Sequence, residues 1–105
     1  MSKVTHIRNQ KENNDFVEKN RKCIIFYSAK YCPACLEIKP LYTRIANRYS
    51  DKVSFSIVDI EEAGLQLETV PIFEGYYRGK EFKYMEGVDT ASLKQFVKAM
   101  INDKK

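Results

Sequence analysis

Two hydrophobic periods alternate along the chain. "VTHI", Val4 to Ile7, reads as a short first strand. Asn13, Asn14 and Asp15 then sit around a short helix carrying Phe16 and Val17. "CIIFYS", Cys23 to Ser28, is almost continuously apolar and rich in β-formers, the pattern of a strand buried on both faces. The period next becomes helical: Ile38, Leu41, Tyr42, Ile45, Ala46 and Tyr49 recur three and four residues apart and share one face. "VSFSIVDI", Val53 to Ile60, is another strand. The order β-α-β-α-β predicts an α/β fold whose central sheet is parallel over this part. Glu61 to Leu67 leaves room for at most a short helical turn. "PIFEGYY" and "KEFKYME" flank "RGK" and predict an antiparallel hairpin turning at Gly79. A last helix runs from about Thr90 to Ile101, buries Leu93, Phe96, Val97, Met100 and Ile101, and has Asp89 or Thr90 as its N-cap.

The candidate chemistry lies in "SAKYCPACLEIKP", Ser28 to Pro40. Cys32 falls where a strand ends and a helix begins. First-turn amides there lack intrahelical partners and the helix dipole is positive, so a Cys32 thiolate is stabilised below the free thiol value of about 8.5. Pro33 suits the first helical turn, which needs no amide donor from it. Cys35 is one turn further on, within reach of a mixed disulfide at Cys32 but further from the helix end. One nucleophile and one resolving thiol is the asymmetry that dithiol exchange uses.

Two other readings of the pair compete. Zinc needs about four ligands, and only Cys23 and His6 remain as soft candidates, so no metal site is expected. An inert pair of small buried hydrophobes is the blander alternative. The strand–motif–helix context favours redox exchange. Cys23, at the start of its strand, reads as core or near-surface filler, and His6 as a strand residue without a catalytic task. Tyr76, Tyr77 and Tyr84 read as packing on the hairpin. Pro40 sits inside the helical stripe and is expected to kink it. "TVP", Thr69 to Pro71, precedes a strand; a cis peptide there would turn the preceding backbone toward a site.

Composition and charge narrow the field. The formal net charge is +4, with basic and acidic residues interleaved along the chain, and no clustered basic stripe stands out, so no nucleic-acid partner is expected. No apolar run approaches the roughly 18 residues of a membrane span. The polar start "MSKVTHIRNQKENN" lacks the apolar stretch of a secretory signal. An odd count of 3 cysteines argues against a disulfide framework and allows one functional pair with one bystander. A cytoplasmic, monomeric protein is expected.

With these motifs in place, the chain resembles the thioredoxin-fold thiol–disulfide oxidoreductases over nearly its whole length, residues 1–105 reading as one domain. The resemblance rests on "FYSAKYCPACLEIKP", "VPIFEGYYRGKEFKYMEG" and "LKQFVKAM". It implies a central mixed sheet flanked by helices, Cys32 as nucleophile, Cys35 as resolving thiol, and a cis Pro71 facing the pair. It further implies that the Val70 backbone pairs with an extended substrate segment, while Tyr31, Pro33, Gly87 and Val88 complete the rim. The implied activity is reduction or exchange of protein disulfides through a redox-active Cys32–Cys35 disulfide. No tightly bound cofactor is implied, and electrons come from a reductase or glutathione.

Several residues depart from the family. Tyr31 stands at a usual tryptophan, and proline occupies the first position between the cysteines. That proline, with "TVP", is similar to glutaredoxins, so a glutathione-dependent enzyme is one alternative. A non-enzymatic adaptor holding extended peptides at Val70 and Pro71 is another. The acid usually buried beneath the resolving cysteine corresponds to Phe26, and a nearby lysine to Ile57. The segment before Pro71 is short by about one helical turn, so the third helix is expected to be shortened.

Overall fold

In the computed structural model, which describes residues 3–87 and 89–102, the elements are β1 (Val4–Ile7), α1 (Gln10–Lys19), β2 (Lys22–Ser28), α2 (Pro33–Tyr49), β3 (Ser54–Asp59), β4 (Ile72–Tyr77), β5 (Lys80–Glu86) and α3 (Thr90–Asn102). The strands form one sheet in the order β1-β3-β2-β4-β5. β1, β3 and β2 run parallel, β4 is antiparallel to β2, and β5 is antiparallel to β4. Strand β2 is central, and every side chain from Cys23 to Ser28 is buried, as its continuous apolar run requires.

Helix α1 begins at Asn9, whose side chain accepts the Glu12 N–H at 2.9 Å, while the Glu12 carboxylate accepts the Arg8 N–H at 2.8 Å. Asn13 therefore lies inside the helix. It is buried and donates to the Tyr27 hydroxyl at 3.0 Å, which places α1 on the Tyr27 face of the sheet. Phe26, one residue earlier, points to the other face. There it stacks on Phe73 at 4.7 Å and meets the edge of Tyr42 from α2 at 5.0 Å. Phe96 of α3 packs on the same Phe73 at 6.4 Å. Each aromatic pair contributes about 0.5–1.5 kcal/mol beyond its buried area. The fully buried Tyr42 hydroxyl donates to the Ser56 carbonyl at 2.7 Å, so its burial strands no polar group.

Helix α2 passes through Pro40 unbroken, and Pro40 stands on its exposed side. At the hairpin, Arg78 and Gly79 both have positive φ, 51° and 83°, the geometry of a two-residue primed turn. The shortening expected between β3 and β4 is carried to its limit. Residues 61–64 form only turns, closed by Ala63 N–H to Asp59 at 3.0 Å and Leu65 N–H to Ile60 at 2.8 Å. No α-helix stands between those strands among the described residues. Asp89 caps α3, accepting the Ala91 N–H at 3.1 Å and the Ser92 hydroxyl at 2.6 Å.

Candidate active site

The site forms where β2 hands the chain to α2. Ala29 is fully buried, and its carbonyl accepts the Cys32 N–H at 3.2 Å, which curls the chain into the helix. Cys32 is the N-cap residue and Pro33 opens the first turn. Cys32 Sγ accepts the Cys35 N–H at 3.1 Å. That amide is one of the helix's orphan donors, so a sulfur occupies the position where a capping oxygen ordinarily stands.

Cys32 and Cys35 are joined by a disulfide with their Cα atoms 5.3 Å apart. Cys32 is 7% exposed and Cys35 is fully buried, so reagents reach the first sulfur and not the second. The Val70 carbonyl approaches Cys32 Sγ at 3.7 Å. In the disulfide that sulfur carries no hydrogen, and the approach becomes a hydrogen bond only for the reduced thiol. The Val70–Pro71 peptide is cis. Pro71 is buried, and its carbonyl accepts the Gly87 N–H at 2.9 Å. Gly87 has φ of 70°, a conformation that side chains disfavour, so a glycine is favoured where the chain leaves β5.

The structure thus gathers Cys32, Cys35, Val70, Pro71 and Gly87, with Tyr31 and Pro33 exposed at the rim. Val88 lies outside the described residues. Leu36, which the buried stripe does not include, is 57% exposed one turn beyond Cys32. The available signal was an apolar residue lying off the buried stripe of α2.

Cys23 is fully buried, and burial pushes its thiol up to about 12, so it does not compete for reaction at neutral pH. His6 is exposed on β1 and reaches Glu62 at 2.8 Å. Tyr76 donates to Glu74 at 3.1 Å, and Tyr77 packs against Phe82. Among the described residues, no three His, Cys, Asp or Glu side chains converge as metal ligands. No helix in that set is long and apolar enough to cross a membrane.

A five-stranded mixed sheet with a Cys-x-x-Cys disulfide capping α2 defines a thioredoxin-fold thiol–disulfide protein. The thioredoxin family profile matches residues 4–99, and the chain belongs to that family. Thioredoxin-3 of Dictyostelium discoideum is 26% identical over 106 residues, which cover 96% of this chain and 100% of that protein. Thioredoxin 1 of Plasmodium falciparum is 26% identical, with 90% and 94% covered. The solution structure of the oxidised thioredoxin from Plasmodium falciparum matches with a TM-score of 0.85 at 24% identity, covering 93% of this chain and 98% of that one; at that identity the likeness speaks for the fold. The chain is a thiol–disulfide oxidoreductase. The family acts on disulfide-bearing proteins, is served by a reductase, and needs no tightly bound cofactor, because the disulfide itself carries the electrons.

Proposed function

We propose that Cys32 is the attacking thiolate and Cys35 the resolving thiol of a monomeric, cytoplasmic protein-disulfide reductase. The observation that carries this reading is the Cys35 N–H aimed at Cys32 Sγ at 3.1 Å, with Cys35 itself fully buried. The Cys32 thiolate attacks one sulfur of a substrate disulfide and expels the other as a thiolate. Cys35, once deprotonated, attacks Cys32 Sγ and expels the second substrate sulfur. The substrate gains two electrons and two protons, and Cys32–Cys35 is left oxidised. A reductase then returns two electrons to the pair.

The substrate lies extended along Val70, whose carbonyl stands beside Cys32 Sγ, and pairs with that backbone as an added strand. Tyr31, Pro33 and Gly87 flank it. Leu36, exposed one turn beyond Cys32, extends the apolar rim on the helix side.

The test is covalent capture. A Cys35→Ser variant is expected to accumulate mixed disulfides with oxidised protein substrates, and a Cys32→Ser variant to accumulate none. Equal, non-covalent capture by both variants would overturn the enzymatic reading in favour of an adaptor. If Cys35→Ser instead reduces glutathione mixed disulfides as fast as the parent chain, the activity is glutathione-linked and Cys35 is dispensable.

A further inference from the structure

Helices α2 and α3 lie on the same face of the sheet, both against Phe73, and a groove of about 440 Å³ runs between them. Its floor is apolar: Ile45 and Val97 are buried, and Leu41 and Tyr49 are half-buried. Its two rims are cationic. Arg44 and Arg48 stand on α2, Lys94 and Lys98 on α3, and all four are exposed. In each pair the cations are four residues apart, about 6 Å along the helix axis, so each helix carries one rail of two cations on its own rim.

No carboxylate lines this groove among the described residues, and none of the four cations is ion-paired in that set. The cavity lined by Ala29 and Leu36 is different: there Lys30 and Lys39 share the lining with the carboxylates Asp59 and Glu62. The groove therefore holds as many unneutralised cations as the formal net charge of the whole chain, +4. Four like charges around an apolar strip repel one another while leaving apolar surface in water. A phosphate polymer would satisfy the rails but not the floor. A small anion would satisfy one pair of cations at most. An amphipathic helix satisfies both, with apolar residues on the floor and acids one turn apart on each flank, in step with the rails.

We propose that the α2–α3 groove docks an acidic amphipathic helix of a partner protein. Leu41 is nine residues beyond Cys32, about 14 Å along α2, so the docked helix leaves the catalytic end free. A disulfide carried on the same partner would meet Cys32 at a raised effective concentration. The docking itself does not depend on the redox chemistry proposed above.

The experiment uses the full oxidised chain and a labelled helical peptide of about five turns, with leucine at i, i+3, i+4 and i+7 and glutamate on both flanks. Anisotropy is expected to show binding that weakens roughly tenfold when the glutamates become glutamine, and again when salt rises from about 20 mM to about 200 mM. An R48E/K94E variant is expected to lose at least roughly tenfold in affinity while reducing a small disulfide at the parental rate. R44Q/K98Q, which only neutralises two exposed charges, should weaken binding in the same direction and guards against misfolding of the reversal variant. Equal peptide binding by the parent and both variants would overturn the proposal. So would binding to anionic phospholipid vesicles or a single-stranded oligonucleotide without binding to the peptide. Loss of self-association in R48E/K94E, with no peptide binding by the parent, would assign the groove to a second copy and also overturn it.

Discussion

Cys23 sets a measurable alkaline limit on stability. Its thiol is fully buried in β2 and is pushed up to about 12, whereas an unfolded cysteine titrates near 8.5. Above about pH 8.5 the unfolded chain loses this proton while the native chain keeps it, so the native state binds more protons and stability falls as pH rises. The contribution is complete below the unfolded value and is lost progressively toward the folded one. The slope approaches about −1.4 kcal/mol per pH unit, and roughly 1.5–2 kcal/mol is gone by about pH 10.

Urea unfolding of the oxidised chain between about pH 7 and pH 10 would read this, because the disulfide removes the other two thiols from the titration. At a slope of about 1.5 kcal/mol per M, Cys23 alone should lower the midpoint by roughly 1 M. The buried Tyr27 and Tyr42 and the half-buried Tyr76 are also raised, chiefly by desolvation, but their unfolded forms titrate only near 10 and are common to both proteins. Cys23→Ala lowers the midpoint near neutral pH by leaving a small void, about 1 kcal/mol, and should flatten the dependence, so that the two proteins converge and cross between about pH 9 and pH 10. The same pH slope in parent and variant would refute the assignment. The consequence for function is that only Cys32 and Cys35 take part in redox traffic.

Two further outcomes are expected. Gly75→Ala should destabilise the fold by about 1–3 kcal/mol, because a Cβ there runs into the Met100 side chain and lies 3.3 Å from Lys83 Cβ; Met100→Leu should recover part of the loss, and an unchanged Tm in Gly75→Ala would contradict the packing. In single-turnover mixing, the resolving attack of Cys35 on a preformed mixed disulfide should slow about tenfold per pH unit below the thiol's own pKa; a rate level down to about pH 5 would reveal an internal base.

The elements and the chemical pair were legible because both are local. The strand runs, the helical stripe, the hairpin turn at Arg78–Gly79 and the Cys-x-x-Cys junction each depend on residues a few positions apart. The mixed sheet came from the resemblance and not from periodicity, since no local pattern says that β3 inserts beside β2 or that β4 returns antiparallel. Asn13 read as part of a polar helix start, yet it is buried, because its amide meets a tyrosine 14 positions away. The basic groove was invisible for the same reason. Arg44 with Arg48, and Lys94 with Lys98, are ordinary pairs in the sequence, and no basic stripe stands out along the chain. Only the packing of both helices on Phe73 brings them into one cluster.

The departure at Phe26 shapes the chemistry as well as the core. The resemblance sets against this position an acid that the family usually buries beneath its resolving cysteine. Here Phe26 is fully buried, stacked on Phe73 and paired across the sheet with Ile57 and Phe73. A carboxylate among these rings would be costly to ionise, and the one ring lost with it would have contributed a few kcal/mol of packing. The nearest acid along β4, Glu74, is one residue beyond Phe73 and so points to the opposite face, where it accepts hydrogen bonds from Tyr27 and Tyr76. The core beneath the pair is therefore built for packing, and the Cys35 proton has to leave toward the Cys32 and Val70 side of the site. Under the proposed order of attack, the pH dependence belongs to the second sulfur transfer, because the buried Cys35 must lose its proton before it can attack Cys32 Sγ.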